Sequence, residues 1–353
     1  MSFDQIMLIK QKIKSPIVII GHTGFKGTWL TLLLEKLDIE AIGISLPPDK
    51  NGLYSSLNKK STTNEFFQDI RDFSKLVKII NDIRPSFVIH LAAQPLVLDS
   101  YKNPRETFET NVLGTANVLD ALYKTGCCEK IIVSTTDKVY KNDEYGNKFN
   151  EDSPLGGKDP YSWSKVGTEA AIGAWQQISQ ISDGPKIISV RAGNVIGGGD
   201  QSMNRLLPDI VKSLNAGNPI QIRNPYSTRP WQHALDPLWG YLLALVTDTE
   251  ELAFNFSPDG RSLTVKEVTD IASKTWGEKS KINFHETTDN LESKSLELDS
   301  ALAKRKLNWQ NRWEQEEAVI STIKWWKLFL TKETSAYEAC EINLGELLEN
   351  KRK

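Results

Sequence analysis

The sequence predicts an α/β protein built on a doubly wound parallel sheet, with a smaller, partly discontinuous C-terminal domain. Three observations carry this. Short β-branched runs alternate with longer helical patterns through the first half of the chain. The first such run passes straight into a glycine-spaced loop and then a helix. From about Asn194 the texture changes to loops, proline turns and scattered helices. A length of 353 residues suits about two domains of roughly 150 residues.

Taken in order, Ile17-Val18-Ile19-Ile20 is too short for a helix and is closed by Gly21, so it reads as a buried strand. Phe25, Leu30, Leu33, Leu34 and Leu37 recur at helical spacing and predict an amphipathic helix. Residues 40–46 (EAIGISL) form a second strand, stopped by Pro47-Pro48. Further strands are predicted at 66–70, 87–92, 130–134 and 186–192, separated by helices that include 104–124 and 159–180. Asn255-Phe256 is expected to return a strand to the main sheet. The sheet domain then takes residues 1–193 with about 237–260, and the smaller domain takes 194–236 and 261–331. Residues 332–353, rich in polar side chains, read as a peripheral tail.

Lys plus Arg number 43 and Asp plus Glu 45, for a net charge of −2. That balance offers no basic field for nucleic acid and no polybasic membrane patch. No apolar run approaches the ~18 residues of a membrane span. The N-terminus carries Asp4 and reaches Lys10 after a short apolar stretch, which does not read as a secretory signal. Three cysteines, two of them the neighbours Cys127 and Cys128, disfavour a disulfide framework and a zinc cluster. His22, His90 and His285 suggest no metal site. A cytoplasmic enzyme without a metal is the expectation.

The loop Gly21-His22-Thr23-Gly24-Phe25-Lys26-Gly27 reads as a phosphate cradle. Backbone N–H groups at a helix N-terminus bind an anion, and glycine permits the close approach. The spacing is GxxGxxG rather than GxGxxG, and Lys26-Gly27-Thr28 is not the Gly-Lys-Ser/Thr of a P-loop. Ser45-Leu46-Pro47 stands where an acid would hold an adenosine ribose, and no arginine is there for a 2′-phosphate. This element therefore leaves NAD and NADP both open. Asp69-Ile70, at the end of the predicted third strand, could flank an adenine or simply make the turn.

Tyr161 and Lys165 are spaced i, i+4 on a predicted helix that follows Pro160, which puts them on one face. A tyrosine acting as a base near pH 7 must have its pKa lowered by about 3 units, roughly 4 kcal/mol. An ammonium from Lys165 and a cationic nicotinamide would supply a field of the right sign. Upstream, the strand over 130–134 ends in Thr135-Thr136-Asp137-Lys138, where active residues of parallel sheets gather. Thr136 could bond a substrate hydroxyl, and Asp137 and Lys138 make an adjacent acid and amine. Arg223 and Arg229 bracket a proline-stiffened loop and suit a diphosphate. His233 reads equally as a site or a core histidine.

These segments together resemble the extended short-chain dehydrogenases/reductases, and within them the CDP-glucose 4,6-dehydratases. The resemblance runs from GHTGFKG (21–27) to about Phe329. DIRD (69–72), HLAAQPLV (90–97), TNVLGT (110–115), TTDKVY (135–140) and DPYSWSK (159–165) carry it. RAGNVIGGGD (191–200) and IRNPYSTRPWQHALDPLWGY (222–241) are its most specific segments. It implies a Rossmann-type fold that binds NAD and a CDP-sugar. Thr136, Asp137, Lys138, Tyr161 and Lys165 would be catalytic. Gly21, Thr23, Gly24, Phe25, Lys26, Gly27, Asp69, Ile70, Leu91, Ala92 and Ala93 would line the cofactor together with the Tyr/Lys pair. Gln94, Asn194, Arg205, Arg223, Arg229 and His233 would face the sugar nucleotide. Lys138 stands where sister dehydratases usually carry Glu, which leaves the carbon-5 base open. The implied reaction is an internal redox cycle that removes water from the hexose. The competing readings are a 4-epimerase on the same scaffold, a 4,6-dehydratase using another nucleotide sugar, and a non-catalytic NAD sensor. Asp137-Lys138 favours elimination over epimerisation, and the full Thr136, Asp137, Lys138, Tyr161 and Lys165 set would be surplus in a sensor. A homodimer or homotetramer is implied through helices 104–124 and 159–180.

Overall fold

The computed structural model describes residues 1–58, 64–142, 146–277, 281–285 and 296–349. Seven strands form one parallel sheet: β1 Ile17–Ile20, β2 Ala41–Ser45, β3 Asn64–Phe67, β4 Phe87–His90, β5 Lys130–Ser134, β6 Lys186–Ala192 and β7 Ala253–Phe256. Their spatial order is β7-β6-β5-β4-β1-β2-β3. Ile17 pairs with Ala41 on one side and with Phe87 on the other, so the chain leaves β1 in one direction and returns to β4 in the opposite one. Such a reversal opens a crevice beyond the carboxyl ends of β1 and β4, where ligands of open α/β sheets bind.

Both faces of the sheet are covered. Ile17, Ile19, Ile89 and Ile132 point into one apolar cluster, while Val18, Ile20, Val88, Ile131 and Val133 point into the other. This is the alternation a pleated strand imposes, and burial on both sides explains why the strands read as unbroken apolar runs. The first face packs against α1 (Phe3–Lys12), α2 (Phe25–Lys36) and the wholly buried α6 (Leu235–Val246). The second packs against α3 (Phe73–Ile83), α4 (Gly114–Thr125) and α5 (Pro160–Ser182). Asn255 pairs with Arg191, so β7 returns to the sheet where the sequence placed it. Beyond Ala192 the chain adds a short helix Leu206–Asn215, small two-stranded pairings, α7 (Val265–Trp276) and α8 (Gln315–Leu330). No helix among the described residues is long and apolar enough to cross a membrane.

Four expectations need correction. The third strand ends at Phe67 rather than 70, because Asp69 folds back to accept the Arg71 backbone N–H at 2.9 Å and Asp72 then caps α3. The fourth ends at His90, since the N–H groups of Leu91 and Ala92 both turn to the Ile20 carbonyl. The helix expected at 104–124 is Pro104–Phe108, a single π turn at Glu109–Leu113, and then α4. The tail is not peripheral. Its helix α9 (Ala336–Leu348) buries Ala336, Ala339, Cys340, Leu344 and Leu347 in the same cluster as Trp29 and Trp325. An apolar stripe at helical spacing lies within its polar composition.

Candidate active site

The cradle is built by backbone contact. Gly21 holds φ +98°, and a Cβ there would lie 2.6 Å from the Ala92 nitrogen; a Cβ on Gly27 would lie 2.0 Å from the Gly21 oxygen. Gly24 is the N-cap of helix α2, which has no side-chain cap and no acid in its first turn. Its N-terminal N–H groups therefore face the crevice unscreened, and a dinucleotide diphosphate fits there. At the end of β2 the Thr23 and Ser45 hydroxyls meet at 2.7 Å, and Thr23 also donates to the Leu46 carbonyl at 3.0 Å.

Helix α5 presents Tyr161, Lys165 and Glu169 one turn apart along one face. Asp159 and Ser162 close a capping box at its start, and the Tyr161 N–H donates to Ser100 Oγ at 3.0 Å. Lys165 Nζ donates to the Ser134 carbonyl at the end of β5, at 3.1 Å. Burial, and then the charge of Lys26, lower the Lys165 ammonium to about 7, with Glu169 pulling the other way. Tyr161 bonds Thr136, yet burial pushes its phenol up to about 12. This differs from the expected ammonium-on-phenol contact: the lysine is held by backbone, and desolvation governs the tyrosine.

Thr136 Oγ1 donates to Asp137 Oδ1 at 3.0 Å, and the Lys138 N–H donates back to Thr136 Oγ1. Burial raises the Asp137 carboxyl above its ordinary value against the charges of Lys138 and Arg229 and the Thr136 bond. Lys138 itself is half-buried. Beneath this segment Glu169 accepts Arg191 Nε at 2.8 Å and Nη2 at 2.9 Å, Thr135 Oγ1 at 2.5 Å and Ser189 Oγ at 2.7 Å. The π turn places Asn111, which bonds Gln94 through both backbone groups and donates to Ser164 Oγ at 2.8 Å, beside Lys165.

The structure thus brings together Thr136, Asp137, Lys138, Tyr161 and Lys165. Arg229 and Arg205 reach the same region, since their charges act on Asp137 and Tyr161 respectively. Arg205 also pairs with Asp200 at 3.1 Å. Leu91, Ala92 and Ala93 follow β4 and lie partly open beside the cradle. Other expected contacts turn elsewhere. Asp69 is closed on Arg71, and Ile70 sends its side chain into the core against Gly114. Gln94 engages its amide with Leu96 and Thr107. Arg223 is exposed and its charge acts on Asp209. His233 is a core residue: fully buried, its ring 4.3 Å from that of Trp313 and edge-on to Trp29, it is kept neutral by burial. Among the described residues no cluster of His, Cys, Asp and Glu could hold a metal ion.

Residues 18–322 match the protein family described as GDP-mannose 4,6 dehydratase. The chain belongs to that family. A curated relative, the CDP-glucose 4,6-dehydratase of Salmonella typhimurium, is 37% identical over 329 residues, spanning 90% of this chain and 92% of its own. Among solved structures, UDP-glucose 4-epimerase from Thermotoga maritima with UDP-glucose superposes with a TM-score of 0.79 at 22% identity, over 89% of this chain and 99% of that one. The dTDP-glucose 4,6-dehydratase of Streptomyces venezuelae, solved with NAD, gives 0.77 at 21% identity, over 88% and 97%. At such identities these two structures speak for the fold.

Within this dehydratase-family chain, sequence reasoning missed Ser100, Ser134, Glu169, Arg191 and Tyr241. Glu169 had a signal, since it continues the Tyr161–Lys165 stripe by one more turn. Lys26 was read only as part of the loop, whereas its Nζ reaches across the crevice to Ser134 Oγ at 3.0 Å and Tyr241 Oη at 3.1 Å.

Proposed function

We propose that the protein dehydrates CDP-D-glucose to CDP-4-dehydro-6-deoxy-D-glucose, with NAD as a resident cofactor. The single observation that carries this is the convergence of Thr136, Asp137, Tyr161 and Lys165 beside the glycine cradle, in a chain 37% identical to a CDP-glucose 4,6-dehydratase. The cradle over 21–27 would hold the NAD diphosphate, and Lys165 and Tyr161 its nicotinamide end. Bound there, NAD supplies a hydride acceptor, later a donor, and a positive ring charge. Tyr161, whose phenol burial holds high until a cationic ring and the Lys165 ammonium bring it down, would take the proton of the sugar 4-hydroxyl while Thr136 bonds that oxygen. The carbon-4 carbonyl acidifies the carbon-5 proton, which would pass to Lys138 in its neutral form or to a water it positions. Asp137, whose carboxyl burial raises above its ordinary value, would give its proton to the departing 6-hydroxyl, and water leaves. Arg205 and Arg229 suit the sugar-nucleotide diphosphate.

The NAD assignment is supported by solved neighbours of this fold that carry NAD, among them the Streptomyces venezuelae dehydratase. We also propose a homodimer or homotetramer, supported by exposed Tyr101, Phe108, Leu113, Trp163, Ile178 and Ile181 on and around α4 and α5; sedimentation gives the count. The deciding assay offers CDP-, dTDP-, UDP- and GDP-glucose in heavy water. Expected is loss of one water from the CDP-sugar alone, with deuterium at carbon 5. A product of unchanged mass and inverted carbon 4 would mean an epimerase instead. Tyr161→Phe should lower turnover by orders of magnitude, and near-normal activity would reject its role.

A further inference from the structure

Two ammonium groups are fastened to one residue at the carboxyl end of β5. Ser134 receives Lys165 Nζ on its carbonyl at 3.1 Å and Lys26 Nζ on its hydroxyl at 3.0 Å. Lys26 comes from the first turn of α2, on the far side of the crevice, and is also held by the Tyr241 hydroxyl. Both of its partners are neutral, and among the described residues no ion pair is formed by Lys26. Glu169, one turn along α5, is already bonded twice by Arg191. Positive charge is therefore concentrated at a site where Ser134 and Lys165 are buried, and like charges in such surroundings repel strongly. The cradle does not require a lysine here, because a phosphate is bound by backbone N–H groups that any side chain would leave in place.

We propose that Lys26 is a positioning residue for the acid–base pair: its ammonium, fixed by Ser134 and Tyr241, sets the pH at which Lys165 gains and loses its proton. It thereby sets the pH range over which Tyr161 works, and in this it rests on the reading of Tyr161 and Lys165 as that pair. Around Lys165, Ser134 from β5 accepts its hydrogen bond, Lys26 from α2 and Glu169 from its own helix act on it by charge, His90 from β4 feels its charge, and Tyr161 lies one turn before it on α5. His90 is neutral near pH 7, held down to about 3 by burial and by the charge of Lys165. Glu169 favours the charged lysine and is itself balanced by Arg191. After burial, Lys26 is the main influence against the Lys165 proton.

The test is a titration of the full-length, cofactor-free protein carrying lysine labelled with ¹³C at Cε. The Lys165 resonance is assigned by its absence from K165M. Neutralising the neighbour in K26M should raise the Lys165 midpoint by about one pH unit, whereas K26R should leave it nearly unchanged. In steady-state assays the alkaline limb of the K26M profile should move the same way. An unchanged Lys165 midpoint in folded K26M overturns the proposal. K26Q is the second neutral replacement; if neither folds while K26R does, the lysine is a structural requirement and the proposal also fails. The titration needs no substrate, so a wrong assignment of the reaction would leave the midpoint shift in place and remove only the activity readout.

Discussion

Replacing Glu169 by glutamine probes the support beneath the catalytic segment. The Glu169 and Arg191 side chains are only 5% and 7% exposed, and the carboxylate accepts four hydrogen bonds, two of them from the guanidinium. Glutamine keeps one acceptor but turns an N–H donor toward Arg191 and leaves that buried charge unneutralised. Breaking a buried ion pair from one side costs about 3–5 kcal/mol, a large share of the roughly 5–15 kcal/mol that holds a typical domain together. Urea unfolding of the full chain at pH 7, compared at constant slope, reads the loss directly. The double replacement Glu169→Leu with Arg191→Met removes both charges at once and should recover most of it. The pH dependence has a defined sign. Burial pushes the Glu169 carboxyl up, but the Arg191 bond and charge, with the Thr135 and Ser189 hydroxyls, outweigh it and hold the group below its ordinary value. Its contribution is therefore complete above the unfolded pKa and is lost as pH falls through the lower folded one. The difference between native protein and variant should stay flat from about pH 9 to about 5 and close only in acid. A loss below about 1 kcal/mol at pH 7, or a gap that closes at alkaline pH, would refute the reasoning.

Three further outcomes follow from the packing. Gly27→Ala places a Cβ 2.0 Å from the Gly21 oxygen and should abolish NADH binding followed by fluorescence, while Gly24→Ala, whose nearest neighbour is at 3.4 Å, should bind; equal binding by both would contradict the cradle. Burial raises the Asp236 carboxyl to about 8, against the Arg312 N–H it accepts, and its Oδ2 has no hydrogen-bond partner. A folded pKa above the unfolded one means stability greatest in acid and lost as pH rises through about 8, so Asp236→Asn should gain on the native protein over that rise; parallel denaturation profiles would exclude this. Leu344→Ala should cost about 2–5 kcal/mol and Ile342→Ala less than about 0.5 kcal/mol, since the first is enclosed and the second exposed; equal unfolding midpoints would return the tail to the periphery.

By itself the sequence determined the parallel sheet, the glycine cradle and the Tyr161–Lys165 face. Each is a local pattern: a β-branched run buried on both sides, a turn only glycine permits, a four-residue helical spacing. Composition hid the apolar stripe of α9 because it averages over both faces of a helix. Only the tertiary structure decided what the side chains meet. Lys26 finds Ser134 across 108 residues, Glu169 finds Arg191 on β6, and His233 lies between Trp29 and Trp313 rather than in the crevice. It also closed Asp69 on Arg71 and fastened Lys165 to backbone instead of phenol. The physical reason is range. Backbone preference and hydrophobic period act over a few neighbours, whereas charge partners and desolvation depend on which distant segments the packed core brings together.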